Sequence, residues 1–343
     1  MKAFVTGGSG FLGYHLVKLL VSQGWQVIVL DRLPPRRQGF ARLGVEFRRG
    51  SINDRQQLEA ALEPDMDAVF HIAGNTSLWG KNDGQQSIEN VEGTQNMLDA
   101  AQAKGVKRFV HTSSFTVYGF HPEPFNENSV STVQDAGINY FKSKALAEQR
   151  VKAAAAKGLD TVILNPANIM GPYDYRNWSQ LFMLIDRESM PGAPPGKGSF
   201  AYVEDVAAAH LQAYHQGRSG ENYLLGGIDI SYLKLIQTIG RLLQRKVPSR
   251  ATPGWLLAGV ANLQDALSWF NDREPDVTPE KARFFSGTMC CDDTKARREL
   301  GYRSSGLDIM IQSTAAWLRA ETLIESWHQP LNRPMQQHHD TRP

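Results

Sequence analysis

A chain of 343 residues, 41% hydrophobic and with a formal charge of only +2, is long enough to bury a large core in one domain or two unequal ones. Its 37 basic and 35 acidic residues are scattered rather than massed, which excludes the electropositive face of a nucleic-acid partner. Cys290 and Cys291 are the only cysteines and are adjacent, so there is no disulfide framework. With no basic, apolar, cleavable start, a cytoplasmic location is expected.

The first predicted strand, Ala3 to Thr6, breaks into Gly7-Gly-Ser-Gly-Phe-Leu-Gly13, and a helix predicted from Phe11 to Ser22 follows, closed by Gly24. Gly7, Gly10 and Gly13 stand three apart, while Gly8, Gly10 and Gly13 satisfy the G-x-G-x-x-G spacing. Glycines there permit a tight turn, close approach of backbone to a pyrophosphate, and close packing of helix on strand. The helix start, with the N–H groups of Phe11 and Leu12, is expected to face the phosphates. The next strand, Val27 to Leu30, ends in Asp31, where an acid is expected to take the adenosine ribose hydroxyls. Asp31 favours NAD by repelling the 2′-phosphate of NADP. Arg32, Arg36 and Arg37 close behind keep NADP open as the alternative.

Further strands are predicted at Val45 to Arg48, Ala68 to Ile72, Arg108 to Thr112, Thr161 to Leu164 and Tyr223 to Leu225. Helices are predicted at Arg55 to Leu62, Asn90 to Lys104 and Asn139 to Lys157, the last stopped by Gly158. This alternation predicts an α/β fold, a doubly wound parallel sheet of the Rossmann kind with helices on both faces. After Pro166 the pattern gives way to segments such as Pro191-Gly-Ala-Pro-Pro-Gly-Lys-Gly198. The expected division is a dinucleotide-binding core over 1–165, with strands from about 200–225, and a smaller mixed C-terminal substrate lobe over 166–325. Residues 326–343 read as a disordered tail, whose His338-His339 pair lacks a third ligand, so no metal site is expected. Trp255 to Phe270 is apolar at helical spacing but too short, and too polar at Asn262, Gln264 and Asp265, to span a bilayer. It is expected to close over substrate or pack at a subunit contact, so no membrane partner is expected; attachment to a membrane face is the alternative.

The chemistry is expected between residues 111 and 144. His111-Thr-Ser-Ser-Phe-Thr-Val-Tyr-Gly119 leaves an apolar strand, so its hydroxyls emerge at the strand's carboxyl end, where doubly wound sheets bind ligands. Tyr140 and Lys144 share one helix face. A phenol's pKa of about 10 is too high for proton exchange near neutrality. A nearby ammonium, with the positive ring of an oxidised nicotinamide, favours the phenolate. Ser114 is placed to hold a substrate oxygen.

The chain resembles the extended short-chain dehydrogenase/reductases over about residues 1 to 320. Besides the glycine turn, the marks are His71-Ile-Ala-Gly74, Asn90-Val-Glu-Gly-Thr94, Thr112-Ser-Ser114, Tyr118-Gly119, Tyr140 with Lys144, Asn165-Pro166, Gly171-Pro172 and Phe200-Ala-Tyr-Val-Glu-Asp-Val206. The resemblance implies Tyr140 as acid/base, Lys144 as its partner on the nicotinamide ribose, and Ser114 as the substrate hydroxyl. It implies Ala73 and Gly74 along the dinucleotide and Pro166 with Ile169 beside the nicotinamide. It also implies a homodimer through the Asn90 and Tyr140 helices.

Two departures from the family pattern bear on substrate. Gly50-Ser-Ile-Asn-Asp54 has Ser51, followed by Ile52, where the family usually places an acid on the adenine amine; Asn53 is the other candidate. Gly198-Ser-Phe-Ala-Tyr-Val203 lacks the arginine that helps sugar-nucleotide enzymes hold a diphosphate. Asn75-Thr-Ser-Leu-Trp79 is most similar to dihydroflavonol-reductase-like and 3β-hydroxysteroid-dehydrogenase-like members, which handle apolar, often ring-containing ketones and alcohols. Trp79, Phe115, Tyr173 and Trp178 are candidates for an aromatic substrate wall, or else for packing under the small lobe. The expectation is an NAD(P)-dependent oxidoreductase of a small molecule. A nucleotide-sugar epimerase or dehydratase, and a dinucleotide sensor, are the alternatives.

Overall fold

The computed structural model describes residues 1–34, 40, 42–271 and 273–325. Arg36, Arg37 and the tail from Ser326, with His338 and His339, lie outside the described residues. In chain order the strands are β1 (Lys2–Thr6), β2 (Gln26–Asp31), β3 (Glu46–Arg49), β4 (Ala68–His71), β5 (Arg108–Thr112), β6 (Thr161–Pro166), β7 (Asn168–Met170), β8 (Lys197–Tyr202), β9 (Asn222–Leu225), β10 (Ile228–Ser231) and β11 (Thr288–Met289).

Seven of them form one parallel sheet in the order β3-β2-β1-β4-β5-β6-β9. Its inner strands are apolar on both faces because helices cover both, while the edge strand β3, Glu46-Phe-Arg-Arg49, has no fully buried residue. Val5, Val29, Phe70, Val110 and Val162 share a core with Leu16, Val17 and Leu20 of the Phe11–Ser22 helix and Val206 and Ala209 of the Val203–Gln216 helix. Phe4, Leu30, Val69, Phe109 and Ile163 meet Leu58, Met97, Leu98 and Val151 on the other side. Those four come from the helices Arg55–Ala61, Gly93–Ala103 and Asn139–Ala156. The doubly wound arrangement expected from the alternation is the one observed.

The second sheet is small and mixed. Its centre is β8, paired antiparallel with β10 and parallel with β7 and β11. Of the 200–225 stretch, only β9 joins the large sheet as a strand.

Ladder register puts the strand ends at one level. Thr6 pairs with Leu30 and with His71, His71 with His111, His111 with Ile163, and Ile163 with Asn222. The glycine turn, Asp31, Ile72 to Gly74, Thr112 to Ser114 and Asn165-Pro166 therefore leave the sheet along a single carboxyl edge.

One helix differs from expectation. The one predicted from Asn90 begins earlier, as helix Asp83–Ser87, a π turn at Ile88–Glu92, and helix Gly93–Ala103. The polar 83–87 segment is held by tertiary bonds that no periodicity reveals: Gln86 Nε2 donates to the carbonyls of Asn75 and Ser77, and Asn139 Nδ2 donates to Asp83 O and Gln86 Oε1. The Gly254–Asn271 helix turns Ala261 and Ser268 inward, and Lys81 Nζ donates to Ser268 O at 3.0 Å. Trp255, Leu263 and Leu267 stay outside at 75, 64 and 56% exposure. Among the described residues no helix is long and apolar enough to cross a membrane.

Gly13 sits where helix meets turn, and a Cβ there would lie 2.2 Å from Gly7 O and 2.7 Å from Gly8 Cα. Both neighbours are backbone, so the clash cannot be relieved by a rotamer. Gly13→Ala is expected to destabilise the fold by about 1–3 kcal/mol. Gly259→Ala, on an open helix face, should be neutral or stabilising by up to about 1 kcal/mol. Urea unfolding midpoints of the two variants check the contrast.

Candidate active site

At the end of β1 the chain turns with Gly7 at φ +71°, Gly7 N donating to Leu30 O at 3.1 Å and Gly10 N to Gly7 O at 3.0 Å. The following helix has no side-chain cap at Gly10 and no acid in its first turn. Its leading N–H groups, Phe11 and Leu12 among them, have no carbonyl partner within the helix and carry the positive end of its dipole at the turn. Ser9 Oγ is buried there without a hydrogen-bond partner. Asp31, at the tip of β2, accepts from Ser9 N at 3.2 Å and from Arg32 N at 2.7 Å, which aims its carboxylate at the same groove. Unsatisfied donors at the turn and a fixed acceptor beside it fit a dinucleotide, with phosphates on the former and ribose on the latter.

The 50–54 loop flanks the Asp31 end. Ser51 Oγ accepts from Asn53 N at 3.2 Å, and Ile52 O accepts from Asn96 Nδ2 at 3.0 Å. Asn53 Oδ1 is buried without a partner.

After β4, Ala73 and Gly74 line the groove from the other side, held by a chain of neutral hydrogen bonds. Ala73 N donates to Thr6 Oγ1 at 3.3 Å, Thr6 Oγ1 meets His71 Nδ1 at 2.8 Å, and His71 Nε2 meets Thr94 Oγ1 at 3.0 Å. Burial, with the Lys144 charge adding to it, pushes the His71 pKa down to about 3, so the imidazole is neutral at physiological pH. Asn90 clamps the next residue, accepting from Asn75 N at 2.7 Å and donating to Asn75 O and to Ser143 Oγ, each at 3.0 Å. The positioning roles of His71, Asn90 and Thr94 escaped sequence reasoning, although all three stand in motifs it had marked.

At the β5 end the structure brings Ser114, Tyr140 and Lys144 together. Ser114 is buried, caps the short turn Phe115–Tyr118 by accepting from Thr116 N at 3.2 Å, and has its hydroxyl beside that of Tyr140. Burial raises the Tyr140 phenol above its ordinary pKa, and the Ser114 hydroxyl opposes that rise. Lys144 Nζ donates to Thr112 O at 2.6 Å and lies 3.8 Å from where a Gly74 Cβ would stand. Burial pushes its ammonium down to about 8, with the Glu148 carboxylate pulling the other way. The Tyr140 phenol is thus raised rather than lowered in this arrangement, and the group that opposes the rise is Ser114, not Lys144.

Glu148 was not foreseen, although Tyr140, Lys144 and Glu148 recur every four residues on one helix face. Its Oε2 accepts from Ser113 Oγ and from Asn165 Nδ2, both at 2.8 Å, and Asn165 Nδ2 also donates to Ser114 O at 3.1 Å. The buried carboxylate thereby ties the end of β5 to β6 directly behind Ser114. Pro166 closes β6, and Ile169, in β7, is partly buried.

Around Tyr140 the wall is apolar: Phe115, Tyr118, Phe141 and Phe284 form one cluster, with Leu78 and Tyr140 packed against it. Trp79 is buried nearby in sequence, with the Lys81 ammonium 5.3 Å from its ring centre. Tyr173 and Trp178 are engaged elsewhere. Tyr173 packs on Tyr14, His15 and Trp317 at 4.8, 5.5 and 5.6 Å between ring centres. Trp178 packs on Phe200, Tyr232 and Phe285 at 4.6, 5.8 and 5.9 Å, under the small lobe.

The sequence profile of the NAD dependent epimerase/dehydratase family matches residues 3–226. The chain is 32% identical to sterol demethylase protein B of Methylococcus capsulatus, covering 94% of this chain and 100% of that protein. It is 31% identical to a putative dihydroflavonol 4-reductase of Synechocystis, covering 94% and 96%. A solved UDP-glucose-4-epimerase from Stenotrophomonas maltophila, with bound NAD and formylated UDP-arabinopyranose, superposes with a TM-score of 0.75 at 27% identity, covering 94% of this chain and 99% of that one. With the glycine turn, the Asp31 carboxylate and the Ser114, Tyr140 and Lys144 side chains on one edge, the chain belongs to the NAD dependent epimerase/dehydratase family, the extended short-chain dehydrogenase/reductases.

Proposed function

We propose that this enzyme interconverts a carbonyl and an alcohol on an apolar, ring-bearing small molecule, with net turnover of NAD. The observation that carries the reading is the Tyr140 phenol beside the Ser114 hydroxyl at the end of β5, set against a wall of Phe115, Phe141 and Phe284. NAD, when bound, supplies the site that gives or takes the hydride. The protein's side chains do the rest. Ser114 presents its hydroxyl to the substrate oxygen and stabilises charge growing there. Tyr140 moves the hydroxyl proton, its phenol held within reach of the same oxygen by Ser114. Lys144 faces Gly74 across the groove and keeps a cation beside the phenol, while the aromatic wall keeps water from the reacting carbon.

A sugar-nucleotide epimerase reading is favoured by fold, since the Stenotrophomonas neighbour holds a nucleotide sugar. Against it stand Ser199, Phe200 and Ala201, buried in β8 where a diphosphate-binding arginine was sought. A dinucleotide sensor would have no use for the assembled Ser114, Tyr140 and Lys144. A homodimer through the neighbouring 83–103 and 139–156 helices is supported by Ile88 and Leu146, exposed at 41 and 48% on those helices. Of the four candidate wall residues, Phe115, within the Tyr140 cluster, and Trp79 remain candidate contacts to the substrate, whereas Tyr173 and Trp178 are taken up by packing elsewhere. Buried free thiols at Cys290 and Cys291 suit a reducing cytoplasm.

A screen of ketones and alcohols followed at the absorbance of reduced nicotinamide is expected to show one coenzyme converted per substrate; unchanged coenzyme during turnover would establish the epimerase instead. With the substrate found, Tyr140→Phe should lower kcat by about 10²–10⁴-fold, and full activity in that variant would remove Tyr140 from the chemistry. In the reducing direction, the rate should fall as pH rises through about 8, where Lys144 gives up its proton while burial still keeps Tyr140 protonated. A flat rate to pH 10 would mean the Lys144 charge does not matter. NAD should bind more tightly than NADP and Asp31→Ala should narrow the gap; calorimetric titration giving NADP the tighter binding contradicts the assignment.

A further inference from the structure

The Asp31 end of the groove contains an ion pair that neither the family resemblance nor the proposed chemistry uses. Arg32 leaves the tip of β2 and its Nη1 reaches Glu89 Oε1 at 2.6 Å. Glu89 belongs to the π turn and is bound on its own side by Gln85 Nε2 at 2.9 Å and by the Asn75 side chain, just beyond Gly74. In the sheet, β2 and β4 are separated by β1, the strand that ends in the glycine turn. A bond from the β2 tip to the segment beyond β4 therefore passes over the end of β1, across the groove in which the dinucleotide is bound.

We propose that Glu89 is a coenzyme-selectivity residue, which captures Arg32 in a strap over the groove and withholds its guanidinium from the 2′-phosphate of NADP. Arg32 follows the acid that meets the ribose, so its own backbone position suits a 2′-phosphate contact. A guanidinium fork is the donor best matched to phosphate, and selectivity against NADP requires that it be occupied or turned away. The partners are unequal in a way that supports capture. The Arg32 side chain is 63% exposed, whereas the Glu89 side chain is 8% exposed. Burial works against the Glu89 carboxylate, but Gln85, Arg32 and Asn75 together hold it below its ordinary pKa, so the charge that keeps Arg32 persists. Asp31 repels the 2′-phosphate directly; Glu89 acts through Arg32 and is a positioning residue.

The test is equilibrium binding of NAD and NADP to the full chain by calorimetry, which needs no substrate and so fails or succeeds independently of the proposed reaction. Glu89→Gln keeps the shape and removes the charge, and it is expected to shift the NADP/NAD affinity ratio toward NADP by about tenfold. The same substitution in an Arg32→Ala background should move the ratio less than about twofold, because no guanidinium remains to be released. An unchanged ratio in Glu89→Gln would overturn the proposal. So would an equal shift with and without Arg32, which would mean that Glu89 repels the phosphate by its own charge. Thermal melting of each variant separates loss of fold from loss of binding.

Discussion

Parallel strands in register carry the site. Each ladder fixes its neighbour along the strand axis, and the pairings from Leu30 through Thr6, His71, His111 and Ile163 to Asn222 leave five loops starting at one height. A slip of one residue in any ladder would turn the strand's core side chains to the wrong face, so the apolar layers that stabilise the sheet also hold its carboxyl edge level. The dinucleotide groove and the Ser114, Tyr140 and Lys144 cluster are the products of this one constraint.

Burial then sets the electrostatics. The edge is packed with neutral polar groups: Thr6, His71, Thr94 and Asn90 hand hydrogen bonds from one strand end to the next without a net charge. Among them Lys144 and Glu148 are buried charges a single helical turn apart. The Lys144 ammonium donates to Thr112 O, and the Glu148 carboxylate accepts from Ser113 and Asn165, so each strand end is gripped by a charge from the same helix. Buried polar groups are costly unless satisfied, and satisfied ones are rigid. Rigidity at Ser113 and Ser114 is what lets the Ser114 hydroxyl stay on Tyr140.

The aromatic residues form two separate groups. Phe115, Tyr118, Phe141 and Phe284 gather in one apolar cluster against Tyr140. Trp178, Phe200, Tyr232 and Phe285 stack within the small lobe and stiffen it. The Gly254–Asn271 helix leaves Trp255, Leu263 and Leu267 in solvent even though its inner side is tied to Lys81 and Val277.

Much of this was legible in the residues. The glycine spacing, Asp31, the hydroxyls after β5 and the four-residue step from Tyr140 to Lys144 are local patterns, and local patterns dictate turns, strand ends and helix faces without reference to the rest of the chain. The strands of the large sheet were legible for the same reason, being short apolar runs punctuated by glycine and polar residues. What tertiary structure decided was every relation between distant segments: Glu148 joined to Ser113 and Asn165, Arg32 drawn to Glu89, the 83–87 helix held by Asn75 and Asn139, and Tyr173 turned onto Tyr14 and Trp317. These depend on side chains meeting across strands far apart in sequence, and a one-dimensional pattern has no term for such a meeting.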